Sequence, residues 1–207
     1  VNWDAVANCA SRYEFANSFN SIFRPSQVLS LNCLLEGFYD PVTNLMRQDT
    51  MRAYLRDTIS PYVIVDSAIV VMSSSGSASM NFTKAVNSRK YLLMLKHRNS
   101  IETWSKSAGI TFTSSQAGFD FTTAAAQAYG NNMKQVDLSP VKYAVYCGDV
   151  NQDGTVDGAD LNIIDNDSFN FVTGYVRSDV NGDNVTDASD ASLCDNNAFN
   201  FVQKIVP

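Results

Sequence analysis

Twelve positions in the last third of this chain fall on one repeated spacing. Asp149, Asn151, Asp153, Thr155, Asp157 and Asp160 occupy positions 1, 3, 5, 7, 9 and 12 of a twelve-residue stretch. Thirty residues on, Asp179, Asn181, Asp183, Val185, Asp187 and Asp190 repeat the pattern. Calcium is a hard cation that takes six to eight oxygens. A loop of this length supplies them from side chains at 1, 3 and 5, a backbone carbonyl at 7, a residue at 9 that often acts through water, and a carboxylate at 12. Thr155 and Val185 would therefore act through their carbonyls. Position 6 needs a sharp turn, and Gly154 and Asn184 both tolerate a left-handed backbone. The expectation is two bound Ca2+ ions. Both loops end in Asp, one methylene shorter than Glu, so each following helix must lie closer to its ion or make a one-oxygen contact.

The repeat runs on past the loops. Ile164-Asp165-Asn166-Asp167-Ser168-Phe169-Asn170-Phe171-Val172 is answered by Cys194-Asp195-Asn196-Asn197-Ala198-Phe199-Asn200-Phe201-Val202. Each unit reads as loop, helix and aromatic-rich end. Neither is large enough to bury its own apolar face, so the two are expected to pack as a pseudo-twofold pair.

Paired Asp-x-Asn-x-Asp loops ending in Asp, at this separation, resemble a type I dockerin over residues 147–207. The resemblance implies two calcium ions, folding that depends on them, and docking onto a cohesin domain of another protein. The family reads its partner through loop positions 10 and 11, often Ser-Thr. Here they are Gly158-Ala159 and Ala188-Ser189, and Asp-Asn and Phe-Asn-Phe runs replace the family's basic helix residues.

The elements that must position these loops are strands. Leu29, Leu31, Cys33 and Leu35 share one face of a period-two run, as do Met51, Ala53 and Leu55; Ala78, Met80 and Phe82; Tyr91, Leu93 and Leu95; Phe119 and Phe121; and Tyr143, Val145 and Cys147. Turn-rich clusters separate the runs, which predicts a β-sandwich over 28–147. One helical turn is expected at Thr123–Tyr129. This region resembles a transthyretin-like or carboxypeptidase-regulatory-like sandwich, as found ahead of dockerin repeats in secreted proteins of Bacteroidetes type. The expected fold is thus mostly β: an Ig/transthyretin-like sandwich followed by a small α-helical, dockerin-like pair of EF-hand-type loops over 148–207. No linker separates Tyr146 from Asp149, so little movement between the two parts is expected. Residues 1–27 fit neither part. Their aromatics suit an extra edge strand or helix on the sandwich, or an arm that adds a strand to a neighbouring subunit.

The net charge of −6 conceals a split. Residues 148–207 carry eleven Asp, no Glu and only Arg177 and Lys204, a balance of −9, against +3 for the rest. No basic face interleaved with aromatics points to nucleic acid, and no run of eighteen apolar residues points to a membrane span. A secreted, extracellular location is expected, with Val1 following a removed signal and cell-surface association left open. The cysteines Cys9, Cys33, Cys147 and Cys194 allow two disulfides in three connectivities, or buried free thiols. The equivalence of Cys194 with Ile164 favours a buried thiol there.

Catalytic constellations are missing from the sequence. His97 is the only histidine, and neither a zinc-protease helix nor a serine elbow is present. Asp66 and Glu102 could be nominated as a glycosidase pair, but a non-catalytic protein is expected. Asp49-Thr50-Met51, Asp57-Thr58-Ile59 and Asp66-Ser67-Ala68 resemble an Asp-Ser/Thr-apolar O-glycosylation pattern. Two functions compete. One is a calcium-locked structural subunit that polymerises with itself in an extracellular fibre or surface layer. The other is a dockerin-type module that anchors a carbohydrate- or protein-binding sandwich to a cohesin-like protein.

Overall fold

The computed structural model describes residues 25–207. The first twenty-four residues, with Cys9 and most of the expected arm, lie outside that range. The described chain is a mostly β domain with several sheets, followed by two packed helices.

In chain order the strands are β1 (Gln27–Asn32), β2 (Tyr39–Asp40), β3 (Leu45–Met46), β4 (Thr50–Arg56), β5 (Ile64–Val71), β6 (Ser77–Phe82), β7 (Lys90–Lys96), β8 (Thr103–Trp104), β9 (Ile110–Thr111), β10 (Gln116–Asp120), β11 (Lys134–Leu138) and β12 (Val141–Ala144). The helices are α1 (Gly158–Phe169) and α2 (Ala188–Phe199). Besides the two-stranded sheets β2-β3 and β11-β12 there are two larger sheets; one runs β10-β1-β6 and the other β5-β4-β7-β8, with β9 also on β7. Their facing side chains, among them Leu29, Leu31, Met51, Leu55, Met80, Phe82, Tyr91 and Leu93, form one core. Period-two alternation directs them there, because successive side chains of a strand point to opposite faces.

Three features depart from the pattern read in the sequence. β1 and β10 pair in parallel, Val28 opposite Gln116 and Asn32 opposite Asp120. β7 is buried on both faces: Leu92 and Met94 meet Trp104, Tyr54 and Tyr62 on the outer side. Arg56 covers that Trp104 ring at 5.0 Å. The helical turn expected at Thr123–Tyr129 is two separate 3-10 turns, Ala125–Gln127 and Tyr129–Asn131. Ala128 interrupts them because it is extended and bridged to Ser105.

β5 is the long strand that alternation missed. It is a sheet edge with a register shift opposite Leu55 and Arg56, and it exposes Ile64, Ile69 and Val71 to solvent.

The core does not stop at Cys147. Val150, Val156, Ile164, Val180, Cys194 and Val202 belong to the same apolar cluster as the sheets. Ile164 and Cys194, equivalent in the repeat, are both fully buried. Cys33, Cys147 and Cys194 are free thiols, and burial pushes that of Cys194 up to about 12.

Candidate calcium loops and the seam that holds them

The two loops fold alike. Asp157 caps the N-terminus of α1 by accepting from the Ala159 N–H, and Asp160 closes the capping box on the Asp157 N–H. Asp187 and Asp190 do the same for α2. Carboxylates at a helix start satisfy otherwise unpaired N–H groups and suit the positive end of the dipole. The same four residues are predicted ligand positions 9 and 12, so the cap and the loop share atoms. Asp160 Oδ1 also accepts from the Val150 and Asn151 N–H groups at 2.9 and 3.0 Å. Asp190 Oδ1 repeats this with Val180 and Asn181 at 2.7 and 2.9 Å. Each position-12 side chain thereby draws the start of its loop over the helix. Gly154 and Asn184 take left-handed φ values of 94° and 69°, as position 6 requires.

Within each loop positions 3 and 5 interlock. Asn151 Nδ2 donates to Asp153, whose own N–H returns to Asn151 Oδ1; Asn181 and Asp183 match them. The loops also meet the far ends of the opposite repeat. Thr155 bridges to Gln203 and Val185 to Thr173, so each position-7 residue is held by the chain that follows the other unit's helix.

The acids at the ends of each loop are buried. Asp149 and Asp179 are 2% and 1% exposed, and Asp160 and Asp190 are fully buried. Burying a carboxylate without a counter-charge is costly. Burial, then neighbouring Asp160, pushes the Asp149 carboxyl up to about 6. Burial likewise raises Asp160 and Asp190, against the pull of their backbone N–H partners. Asp149 Oδ1 has no hydrogen-bond partner among the described residues. Among the described residues, no three His, Cys, Asp or Glu side chains already converge as a closed cage. The donor set is nonetheless all oxygen, and an unpartnered buried carboxylate oxygen beside a second carboxylate fits a hard divalent cation.

A polar seam fixes the loops to the sheets. Asn99, fully buried after β7, donates through Nδ2 to the Arg177 and Asp179 carbonyls at 3.1 and 2.7 Å. Asn197 of α2 donates to Glu36 Oε2 at 2.6 Å and to the Cys147 carbonyl at 2.9 Å. Its counterpart in the repeat, Asp167, instead accepts from Ser178 Oγ. The pseudo-symmetry breaks there because one copy faces the sheets. Gly182 is required by the same approach, since a Cβ there would lie 2.4 Å from the Phe38 ring.

Asp49 sits at the centre of the seam. It accepts from Tyr175 Oη at 2.6 Å and from Arg98 Nε at 2.9 Å. His97 Nε2 lies 3.1 Å from its Oδ2, though without hydrogen-bond alignment. Burial would raise the Asp49 carboxyl, but His97, Tyr175 and Arg98 outweigh it and hold the group well below the usual carboxylate range. Burial also lowers the pKa of His97, whose Nδ1 is 3.0 Å from Ser100 Oγ. Sequence reading missed Asp49, Arg98, Asn99, Tyr175 and Asn197. An all-buried Asn that holds carbonyls 78 and 80 residues away has no periodic signature.

The other nominated residues are committed elsewhere. Asp66 accepts from the Ser67 and Lys84 N–H groups. Glu102 accepts from Trp104 Nε1 and pairs with Lys96 at 3.0 Å. At the three Asp-Ser/Thr motifs, each Asp carboxylate accepts from the N–H of the residue after it.

The aromatic ends of the repeats are out in solvent. Phe169, Phe171, Phe199 and Phe201 are 82–87% exposed. Phe171 and Phe201 hold left-handed φ values of 54° and 53°, unfavourable for a bulky side chain. The same strain and exposure recur in both copies.

No family model matches the chain, and no curated protein matches it. Among solved structures, it is similar to a chain of a type II cohesin–X–dockerin complex from Acetivibrio cellulolyticus, an N-terminal interface mutant. The TM-score is 0.45 and the identity 14%, over 84% of this chain and 99% of that chain. A likeness at that level says nothing of what either chain binds.

Proposed function

We propose that this chain is a non-catalytic, extracellular docking module whose C-terminal repeats bind two Ca2+ ions and engage a cohesin-like domain on another protein. The ligands in the first loop would be Asp149, Asn151, Asp153, the Thr155 carbonyl, Asp157 through water, and Asp160. In the second they would be Asp179, Asn181, Asp183, the Val185 carbonyl, Asp187 and Asp190. When bound, the ions supply the positive charge that the buried carboxylates lack and fix both helices against the sheets. The observation that carries the docking role is the twofold display of Phe169/Phe171 and Phe199/Phe201. Four large aromatics that remain almost wholly exposed, two of them on left-handed backbone, suit a partner surface better than folding.

Polymerisation with itself is the second possibility, favoured by the exposed β-branched edge of β5. Sedimentation of the purified protein with calcium and with chelator, alone and with a panel of cohesin domains, separates the two. A calcium-dependent heterodimer supports docking, whereas calcium-dependent polymers of the chain alone replace it with self-assembly. In the variant Asp160→Ala/Asp190→Ala, both calcium binding and protease resistance of 148–207 are lost on this assignment, and their retention would refute it.

A further inference from the structure

An open cavity of about 310 Å3 lies where β4, β5 and the end of β7 meet the C-terminal repeats. It is at the lower end of the roughly 300–1,000 Å3 of small-ligand sites. Four cationic side chains line it, Arg52, Lys96, Arg98 and Arg177, in a chain whose net charge is −6.

Their charges are not equally compensated. Lys96 pairs with Glu102 at 3.0 Å. Arg98 pairs with Asp49 and Asp179, yet its Nη1 is buried without a partner. Among the described residues, Arg52 and Arg177 have no carboxylate within ion-pair distance. The one side-chain hydrogen bond of Arg52 among the described residues runs to the Tyr54 hydroxyl, at 3.3 Å. Two uncompensated guanidiniums therefore flank a cleft whose buried acids are already in use. The cleft also offers Gln152, the apolar edge of Ile69 and the largely exposed Tyr175. The guanidinium of Arg98 lies over that tyrosine ring, 4.5 Å from its centroid.

We propose that this cleft binds a short acidic saccharide. The sugar's carboxylate or sulfate would be held by Arg52 and Arg177, and its ring would lie against Tyr175 and Ile69. Guanidiniums pair oxyanions through parallel N–H groups, and an aromatic face receives the apolar face of a sugar ring. An extended polyanion suits the cleft less well, because residues 148–207 next to it, at a balance of −9, stay acidic even with two Ca2+ bound and would repel a long charged chain.

The test uses the full, calcium-loaded chain in isothermal titration calorimetry. The probes are a galacturonate trisaccharide, a sulfated disaccharide, a neutral trisaccharide and inorganic sulfate, run against the native protein and Arg52→Gln/Arg177→Gln. Both arginines are exposed and outside the calcium loops, so the variant's melting temperature serves as its folding control. The expected result is binding of at least one acidic saccharide, none of the neutral one, and roughly a tenfold or greater loss in the variant, the scale of losing charge-assisted hydrogen bonds. Equal affinity for inorganic sulfate would overturn the saccharide assignment. Unchanged affinity in the folded variant, or no binding of either acidic sugar, would overturn the site.

Discussion

Arg98 Nη2 lies 3.2 Å from Asp179 Oδ2. A cation from the β domain thus already pairs with the first proposed ligand of the second loop, and among the described residues no cation pairs with Asp149, its counterpart in the first loop. The two sites should therefore differ. Arg98 stabilises the second loop when no ion is present and repels an ion that arrives. In Arg98→Met we expect the chelated protein to lose about 3 kcal/mol, the usual cost of breaking a buried pair. The second calcium site should tighten about tenfold as the like charge departs. Thermal melts in chelator and calcium titrations by calorimetry read the two effects separately, and a weakened second site would count against the repulsion.

Asp149 makes a sharper test, because its two roles have opposite signs. Its Oδ1 is unpartnered and its carboxyl is pushed up to about 6 by burial and Asp160. Asp149→Asn removes a costly buried charge, so the variant should be more stable than the native chain in chelator, by about 1–3 kcal/mol. In calcium it should be less stable, because a ligand is gone. Melting curves with and without the ion should cross over. A loss of stability in both conditions would mean that the carboxylate serves the fold alone.

The exposed phenylalanines predict a conflict between stability and binding. Glycine occupies left-handed backbone without strain. Phe171→Gly and Phe201→Gly should each leave the fold intact or gain about 1 kcal/mol. Docking should weaken in each single variant and fail in the double one. Chemical denaturation paired with a cohesin pull-down measures both, and full binding by the double variant would remove these residues from the interface.

Asp49 should set the acid limit of the seam. Its folded carboxyl is held below the ordinary value of 3.8 by His97, Tyr175 and Arg98 despite its burial. A depressed acid adds stability that is fully present above the unfolded value and lost as pH falls through the folded one. Unfolding below about pH 4 should therefore steepen in the native chain. In Asp49→Asn the protein should be weaker at pH 7 and less sensitive to acid. Melting temperatures from pH 2 to 7 test this, and parallel curves for the two proteins would show that Asp49 does not control the limb.

How far the sequence reached follows from the length scale of each signal. The repeat of loop and helix was legible because its residue types recur at fixed positions thirty residues apart, and both capping boxes fall on those positions. The strands β1, β4 and β6 were legible because one buried face imposes alternation, whereas β7 was read from Tyr91, Leu93 and Leu95 although both its faces are buried. β5 was not, since an edge strand may carry Ile69 and Val71 on its solvent face. The seam was illegible for a different reason. Tyr175 meets Asp49 across 126 residues, and Asn197 meets Glu36 across 161. Single polar contacts at that separation leave no period to detect.

The shared core bears on how this chain carries tension. Tyr146 to Asp149 pass from sheet to loop with no slack, and Val145, Cys147 and Gly148 are each bonded or bridged to the sheet domain on the way. A pull between the strands and the repeats would have nothing loose to stretch first. It would load Asn99, Asn197 and the packed Phe38–Gly182 contact together, so the seam would yield as one unit rather than bond by bond. If the repeats bind Ca2+ and dock as proposed, the chain would transmit force without lengthening, and its mechanical strength would rise and fall with the proposed ions.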